Sequence, residues 1–202
     1  VTEVVEEKKR IGIVLDRSPF YAEMGGQVGD TGTLSIGGKK WTVTGTQKAG
    51  DAFLNFIKGD GVPEVGGEVE LAVDAARRSS IQRHHTVTHL FHWALHEVTS
   101  PEASQKGSYV GPDKLTFDFN SSALTPQQLA DIEQLVNERI VDNAVVSWAE
   151  APYSEVIGNE SILQFFGDKY GDTVRVVQIG GEANALNGYS MELCGGTHVR
   201  AT

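Results

Sequence analysis

Two pairs of residues in this 202-residue chain have the types and spacing of metal ligands. His85 and His89 stand four apart in AARRSSIQRHHTVTHLFHWALHEV, a helix opening near Ala75, so both imidazoles fall on one face about a turn apart. Cys194 and His198 in ELCGGTH are again four apart, and Cys194 is the chain's single cysteine. One thiolate and three imidazoles form a donor set that zinc favours. The histidine pair alone is a weak signal, because four-spaced histidines are common on surface and core helix faces. Cys-Gly-Gly-Thr-His is sharper: its glycines let the backbone fold tightly and turn both side chains toward one point. A zinc protease would carry glutamate directly after the first histidine, and Thr86 in that place removes that chemistry. His92 and His96 continue the stripe a turn or more beyond the pair and read as helix-face histidines. No general base is marked; His84 and Glu192 are close in sequence to the ligands, and nothing in the sequence points either inward.

The elements that must position these residues divide at Ala75. Residues 1–74 read as all-β: Ile11, Ile13 and Leu15 alternate, and TLSI, WTVTGT, FLNFI and EVELAV follow as short strands. Thirteen of the 23 glycines fall in this part and mark its turns, so a small β-barrel is expected. Within it, SPFYAEMGGQVGDTG stands apart. Gly25, Gly26 and Gln27 are either a tight hairpin with a satisfied glutamine or a backbone able to approach another surface and present an amide.

From Ala75 to Thr202 the period becomes helical and then mixed. After the histidine helix comes SQKGSYV, carrying Gln105, and then LTFDF as a half-buried strand. Thr125, Pro126 and Gln128 form a capping box that opens a second helix, with Leu129, Ile132, Val136 and Ile140 as its apolar stripe. VVSWAEAPY and TVRVVQIG read as strands around a short helical piece, SEVIGNESILQFF. The expected class is α+β: a β-barrel over 1–74, then over 75–202 an α/β sandwich with helices on one face of an antiparallel sheet.

Composition narrows the function. With 40% hydrophobic and 22% charged residues the chain suits one large or two small domains with real cores. No apolar run is long enough to span a membrane, and the start, VTEVVEEKKR, has no signal-peptide pattern and no initiator Met, as expected of a fragment. One cysteine excludes an internal disulfide and fits a reducing cytosol. A net charge of −10 argues against bulk electrostatic grip on nucleic acid, so any RNA contact is local. Arg77, Arg78 and Arg83 are the local candidates, either as phosphate contacts or as a solvated helix start.

Taken together, SPFYAEMGGQVGDTG, HTVTHLFHWAL, QKGSYV, LTFDF, LVNERI, FFGDKYGD and ELCGGTH resemble the editing domain of alanyl-tRNA synthetases, in that family's order over essentially the whole chain. The barrel loop is closer to the synthetase form than to that of free-standing trans-editing proteins. The resemblance implies one zinc ion on His85, His89, Cys194 and His198. It also implies roles for Thr88 and Gln105 in catalysis and substrate selection, with Gly25, Gly26, Gln27 and Arg83 on the substrate side. The substrate implied is the acceptor end of tRNA(Ala) carrying serine or glycine. Partners would be the remaining synthetase domains, the location cytoplasmic, and the ATP-dependent aminoacylation domain absent. One departure is visible: GEANALNGY precedes SMELCGG and is longer than the family's short turn.

The chemistry also follows from first principles. A pocket made for alanine cannot strongly exclude glycine, and rejects serine by roughly two orders of magnitude at most. Correction therefore needs a second site whose buried polar groups go unpaired with the wrong substrate. Water attack on an aminoacyl ester needs only a positioned water, a stabilised oxyanion and a held amino group. Two other classes fit the motifs. One is a non-catalytic, zinc-structured tRNA-binding module; the other is a zinc-independent peptidyl-tRNA hydrolase built on Gly25-Gly26-Gln27, as in peptide-chain release factors.

Overall fold

The computed structural model describes residues 1–7, 10–164 and 170–202, which form two compact units: Val1–Ile81 with Val110–Asp113, and Gln82–Tyr109 with Lys114–Thr202. The class is α+β with antiparallel sheets.

The first unit is one six-stranded antiparallel sheet of β1 (Glu3–Glu7), β2 (Arg10–Val14), β3 (Gly32–Ile36), β4 (Lys39–Ala49), β5 (Ala52–Lys58) and β6 (Glu70–Val73), in the order β1-β2-β5-β4-β3-β6. Alternation along these strands turns Ile13, Leu34, Trp41, Val43 and Ile57 into one core, joined by Leu15 and Phe20. Val4 of β1 and Leu71 of β6 pack on that same core. The expected barrel is nevertheless not closed, because the outer strands β1 and β6 are not paired with each other. Closure requires every strand to carry a ladder on both sides. Here Val1 meets the chain ahead of β6, through Gly66 N to Val1 O at 2.9 Å and the Val1 amino group to Gly67 O at 2.8 Å. The edge strand itself, EVVEE, carries three glutamates, a composition that discourages further pairing. The sequence reading passed over β1 because its alternation is interrupted by charge.

Helix α1 (Ala75–Val98) starts where Asp74 accepts a hydrogen bond from Arg77 N through its side chain, 3.0 Å, the role of an N-cap. In the second unit, β9 (Val146–Pro152), β10 (Thr173–Ile179) and β11 (Ser190–Leu193) form an antiparallel sheet in the order β11-β10-β9. Its strands alternate between two cores. Val177 and Ile179 of β10 pack with Leu90, Ala94 and Leu95 of α1 and with Ile132 and Val136 of α2 (Pro126–Val141), which places both helices on one face. Val174, Val176, Met191 and Leu193 point the other way and pack with Val156 and Ile162. β7 (Gln105–Val110) and β8 (Leu115–Phe119) pair as a two-stranded sheet, whose Phe117 meets Phe91 of α1 at 5.2 Å between ring centroids.

The capping box of α2 forms as its residues dictate: Thr125 accepts from Gln128 N, and the Gln128 side chain accepts from Thr125 N at 3.0 Å. Its buried stripe is narrower than the periodicity implies, since Leu129 and Ile140 lie at the exposed edge of the helix. The short helical piece reduces to α3 (Tyr153–Val156), stopped by Gly158 at φ +84°, a conformation that does not continue a helix. The last residues of that piece and most of FFGDKYGD lie outside the described residues. GEANALNGY forms a loop over the side chain of buried Gln178, which donates to Glu182 O at 2.6 Å and accepts from Asn187 N at 3.0 Å. No helix among the described residues is long and apolar enough to cross a membrane.

Candidate metal centre

On α1, residues 85, 88, 89 and 92 recur at i, i+3, i+4 and i+7, so they occupy one stripe. That stripe is polar yet buried: His85 is 6% exposed, Thr88 4%, His89 4% and His92 1%. Leu90, Ala94 and Leu95 are buried on the neighbouring faces, so α1 is enclosed over most of its girth. Polar side chains at such depth need partners, and the C-terminal strand and turn supply them.

β11 ends at Leu193, and Cys194 follows with its N–H bonded to Arg175 O at 3.1 Å. Arg175 Nη1 then donates to the carbonyls of Cys194 (3.0 Å) and Gly196 (2.7 Å), pinning the Cys-Gly-Gly turn. The turn brings Cys194 Sγ to 3.4 Å from His85 Nε2 and 3.3 Å from His198 Nε2. His85, His89, Cys194 and His198 each offer one ligand atom, all within 4.8 Å of one another, and together could hold a metal ion. The donor set passes a further test of fit. Bond lengths of about 2.0–2.3 Å in a tetrahedral site put ligand atoms about 3.3–3.6 Å apart, which matches the sulfur–nitrogen distances here. His89 Nδ1 is buried with no hydrogen-bond partner, a donor atom that the protein alone leaves unused.

The charges in the cluster are mutually adjusted. Burial pushes the Cys194 thiol up, but His198, His85 and His89 outweigh it and hold the group well below its usual range. Burial would lower His89, yet Glu192 and the Cys194 thiolate raise it to about 9. His198 goes the other way, to about 3, because burial and the two neighbouring histidines exceed the pull of Cys194. A thiolate and a neutral imidazole are the forms that bind metal.

Supporting contacts surround the four. Thr86 Oγ1 lies 3.2 Å from His198 Nδ1 and accepts from Val199 N at 3.3 Å. Glu192, 3% exposed, has Oε1 3.2 Å from His92 Nδ1 and Oε2 3.7 Å from His89 Nε2. His92 Nε2 in turn lies 3.3 Å from Ala103 O, so both its ring nitrogens face oxygens. Sequence reading used Thr86 only to dismiss a protease and left Glu192 without a direction. The missed signal is the period of two along β11: Met191 and Leu193 are apolar, so Glu192 must face the opposite side, toward α1.

Comparison with known proteins was decisive for kinship. The family model described as threonyl and alanyl tRNA synthetase second additional domain matches residues 174–202, which contain Cys194 and His198. The model described as tRNA synthetases class II (A) matches residues 1–77. The alanine–tRNA ligase of Akkermansia muciniphila is 50% identical over 204 residues, covering 100% of this chain and 22% of that protein. Over its whole length the chain is a homologue of alanine–tRNA ligases. The enzymes of the same name from Methylacidiphilum infernorum (50% over 191 residues, 94% of this chain, 20% of the relative) and Sinorhizobium medicae (42% over 208 residues, 100% and 23%) match likewise. The chain thus spans about a fifth of the length of these alanine–tRNA ligases, 20–23%.

The other sequence-selected residues fall as follows. Thr88 Oγ1 donates to His84 O at 2.8 Å, a bond back along the helix that leaves the hydroxyl lone pairs as acceptors. Gln105 begins β7 and donates from Nε2 to Ser108 Oγ at 3.0 Å. Arg83 is exposed on α1. In the first unit, Gly25 and Gly26 take φ of +59° and +84° between paired Met24 and Gln27, the conformation of a primed hairpin turn. Gln27 is fully buried, and Gly26 O accepts from Val110 N at 2.8 Å. Arg77 donates to Gly29 O at 2.9 Å and Arg78 grips Asp30 with Nε and Nη2, so both guanidiniums tie the loop of residues 18–30 to the start of α1.

Proposed function

We propose that this segment is the editing module of an alanine–tRNA ligase, a hydrolase that cleaves the ester of tRNA(Ala) mischarged with serine or glycine. The observation that carries the reading is the buried His85, His89, Cys194 and His198 cluster, set in a chain related over its whole length to alanine–tRNA ligases. We assign one zinc ion to those four residues; when bound, it supplies positive charge beside the ester and orients substrate or water.

The protein's own residues do the selecting. Thr88 shares a buried stripe with the ligands His85 and His89; its proton is held by His84 O, and its oxygen lone pairs accept from a serine hydroxyl and find no donor in alanine. Gln105 contributes the polar amide at the start of β7. The family resemblance assigns substrate contacts to Gly25, Gly26 and Gln27 and, separately, to Arg83, where an arginine supplies a contact to an RNA phosphate. The rest of the synthetase supplies most of the tRNA affinity, which reconciles a net charge of −10 with an RNA substrate. The working location is the cytoplasm.

The test is deacylation of Ser-tRNA(Ala) beside Ala-tRNA(Ala), with wild type and Cys194→Ala, zinc content measured for each. Serine release much faster than alanine release, abolished in Cys194→Ala, is the expected result. Folded, zinc-loaded protein that cleaves neither ester would make the segment a binding module. Cleavage of peptidyl-tRNA without zinc would point instead to the hairpin.

A further inference from the structure

Glu192 lies behind the metal-holding cluster rather than within it. It reaches α1 from β11 with its two oxygens divided between residues three apart on that helix: Oε1 faces His92 Nδ1 at 3.2 Å and Oε2 faces His89 Nε2 at 3.7 Å. The contact cannot drift. His92 is 1% exposed and is held from its far side by Ala103 O, at 3.3 Å from Nε2. The same carbonyl accepts from His96 Nε2 at 2.6 Å, and the His92 and His96 rings meet at 4.4 Å. On the other side, the pairing of Glu192 with Val177 in the β10–β11 register fixes its backbone. A carboxylate buried to 3% exposure is costly unless its oxygens find partners, and here one of them is a histidine of the ligand group. Metal-bound histidines generally hold their orientation through such an outer carboxylate.

We propose that Glu192, anchored by His92, is a positioning residue that sets the ring of His89 for metal binding. His92 and Glu192 are therefore conscripted into the centre without touching the metal. The inference rests on the metal-holding reading of the four-residue cluster. It assigns to His92 a task different from the helix-face role implied by its spacing.

The test measures zinc affinity of the 202-residue chain by competition with a chromophoric chelator, and the visible spectrum of the Co²⁺-loaded form, in wild type, Glu192→Ala, Glu192→Gln and His92→Ala. Circular dichroism of each metal-free protein selects the variants that fold. The expected result is a 10–100-fold loss of zinc affinity in Glu192→Ala and His92→Ala. The Co²⁺ ligand-field bands should shift, and Glu192→Gln, which keeps an oxygen in place, should recover part of the affinity. Wild-type affinity and an unchanged Co²⁺ spectrum in folded Glu192→Ala and His92→Ala would overturn the positioning role alone. If wild type itself takes up neither ion, the metal reading falls and this inference with it. Should Glu192→Gln prove as weak as Glu192→Ala, the oxygen-mediated role is refuted.

Discussion

Thr86 Oγ1 and His198 Nδ1 stand 3.2 Å apart although 112 residues separate them in the chain. The contact occupies the ring nitrogen of His198 that faces away from Cys194, so Nε2 is left at 3.3 Å from the sulfur. The same hydroxyl oxygen accepts from Val199 N, tying the last turn of the site to the middle of α1.

Replacing Thr86 with valine keeps the volume and removes both contacts. Thr86 is 2% exposed, so the change leaves buried polar groups unpaired and should lower stability by about 1–3 kcal/mol. Zinc affinity should fall about 10–100-fold. Thr86→Ser, which restores the oxygen, should recover most of the affinity. Chelator competition and thermal unfolding of the three proteins read both effects.

Metal uptake should release about one proton per ion at neutral pH. In the metal-free cluster His89 is raised to about 9 and is therefore cationic, while Cys194 is already a thiolate. The sign follows from His89 being raised above its ordinary 6.5. Its bound proton stabilises the metal-free fold fully below that value, and this contribution is lost as pH rises toward about 9. Metal affinity should therefore climb with pH over the same window. Titration calorimetry in two buffers of different ionisation enthalpy measures the proton count; no proton released at pH 7 would contradict it.

The arginines before the cluster should separate cleanly. Arg78→Met strands the Asp30 carboxylate, which is 1% exposed, and should cost about 3 kcal/mol, the low end for breaking a buried pair because Arg78 keeps 22% exposure. Arg83→Ala, at an exposed position, should leave the free energy of unfolding within about 0.5 kcal/mol of wild type and reduce only deacylation. A large stability loss in the second variant would remove Arg83 from the substrate side.

Two glycines of the hairpin segment should differ in what they tolerate. At Gly25 an added Cβ meets nothing within 4 Å, and only the φ of +59° resists it, so Gly25→Asn should be nearly neutral and Gly25→Ala should cost about 1 kcal/mol. At Gly29 a Cβ would lie 2.2 Å from the carbonyl oxygen of Thr46, which is backbone and cannot step aside. Gly29→Ala should therefore unfold the segment at a markedly lower temperature than Gly25→Ala.

The four-residue cluster was legible because metal chemistry restricts both residue type and spacing: two four-spaced pairs, one on a helix and one on a glycine turn, converge into a group that could hold a metal ion. The capping box at Thr125 was equally readable, since each half of it is local. What joins the pairs was not. Arg175 pins the Cys194 turn through two carbonyls, and backbone acceptors leave no mark on a sequence. The open edge of the first sheet escaped for a related reason. Short strands and glycine turns are shared by curled sheets and barrels, and only the pairing partner of β1 distinguishes them. His92 stands outside the four-residue cluster as its spacing implies, but its contact with Glu192, 100 residues away, left no local mark.

The 109-residue interval between His85 and Cys194 bears on biosynthesis. As the chain leaves the ribosome, the helix with His85 and His89 emerges long before Cys194 and His198 exist to receive them. Assembly of the four-residue cluster is thereby deferred to the end of translation of this segment. A truncated product lacking the last nine residues would carry a buried polar stripe with no counterpart, and proteases acting on such incomplete chains would find it the least protected part of the molecule.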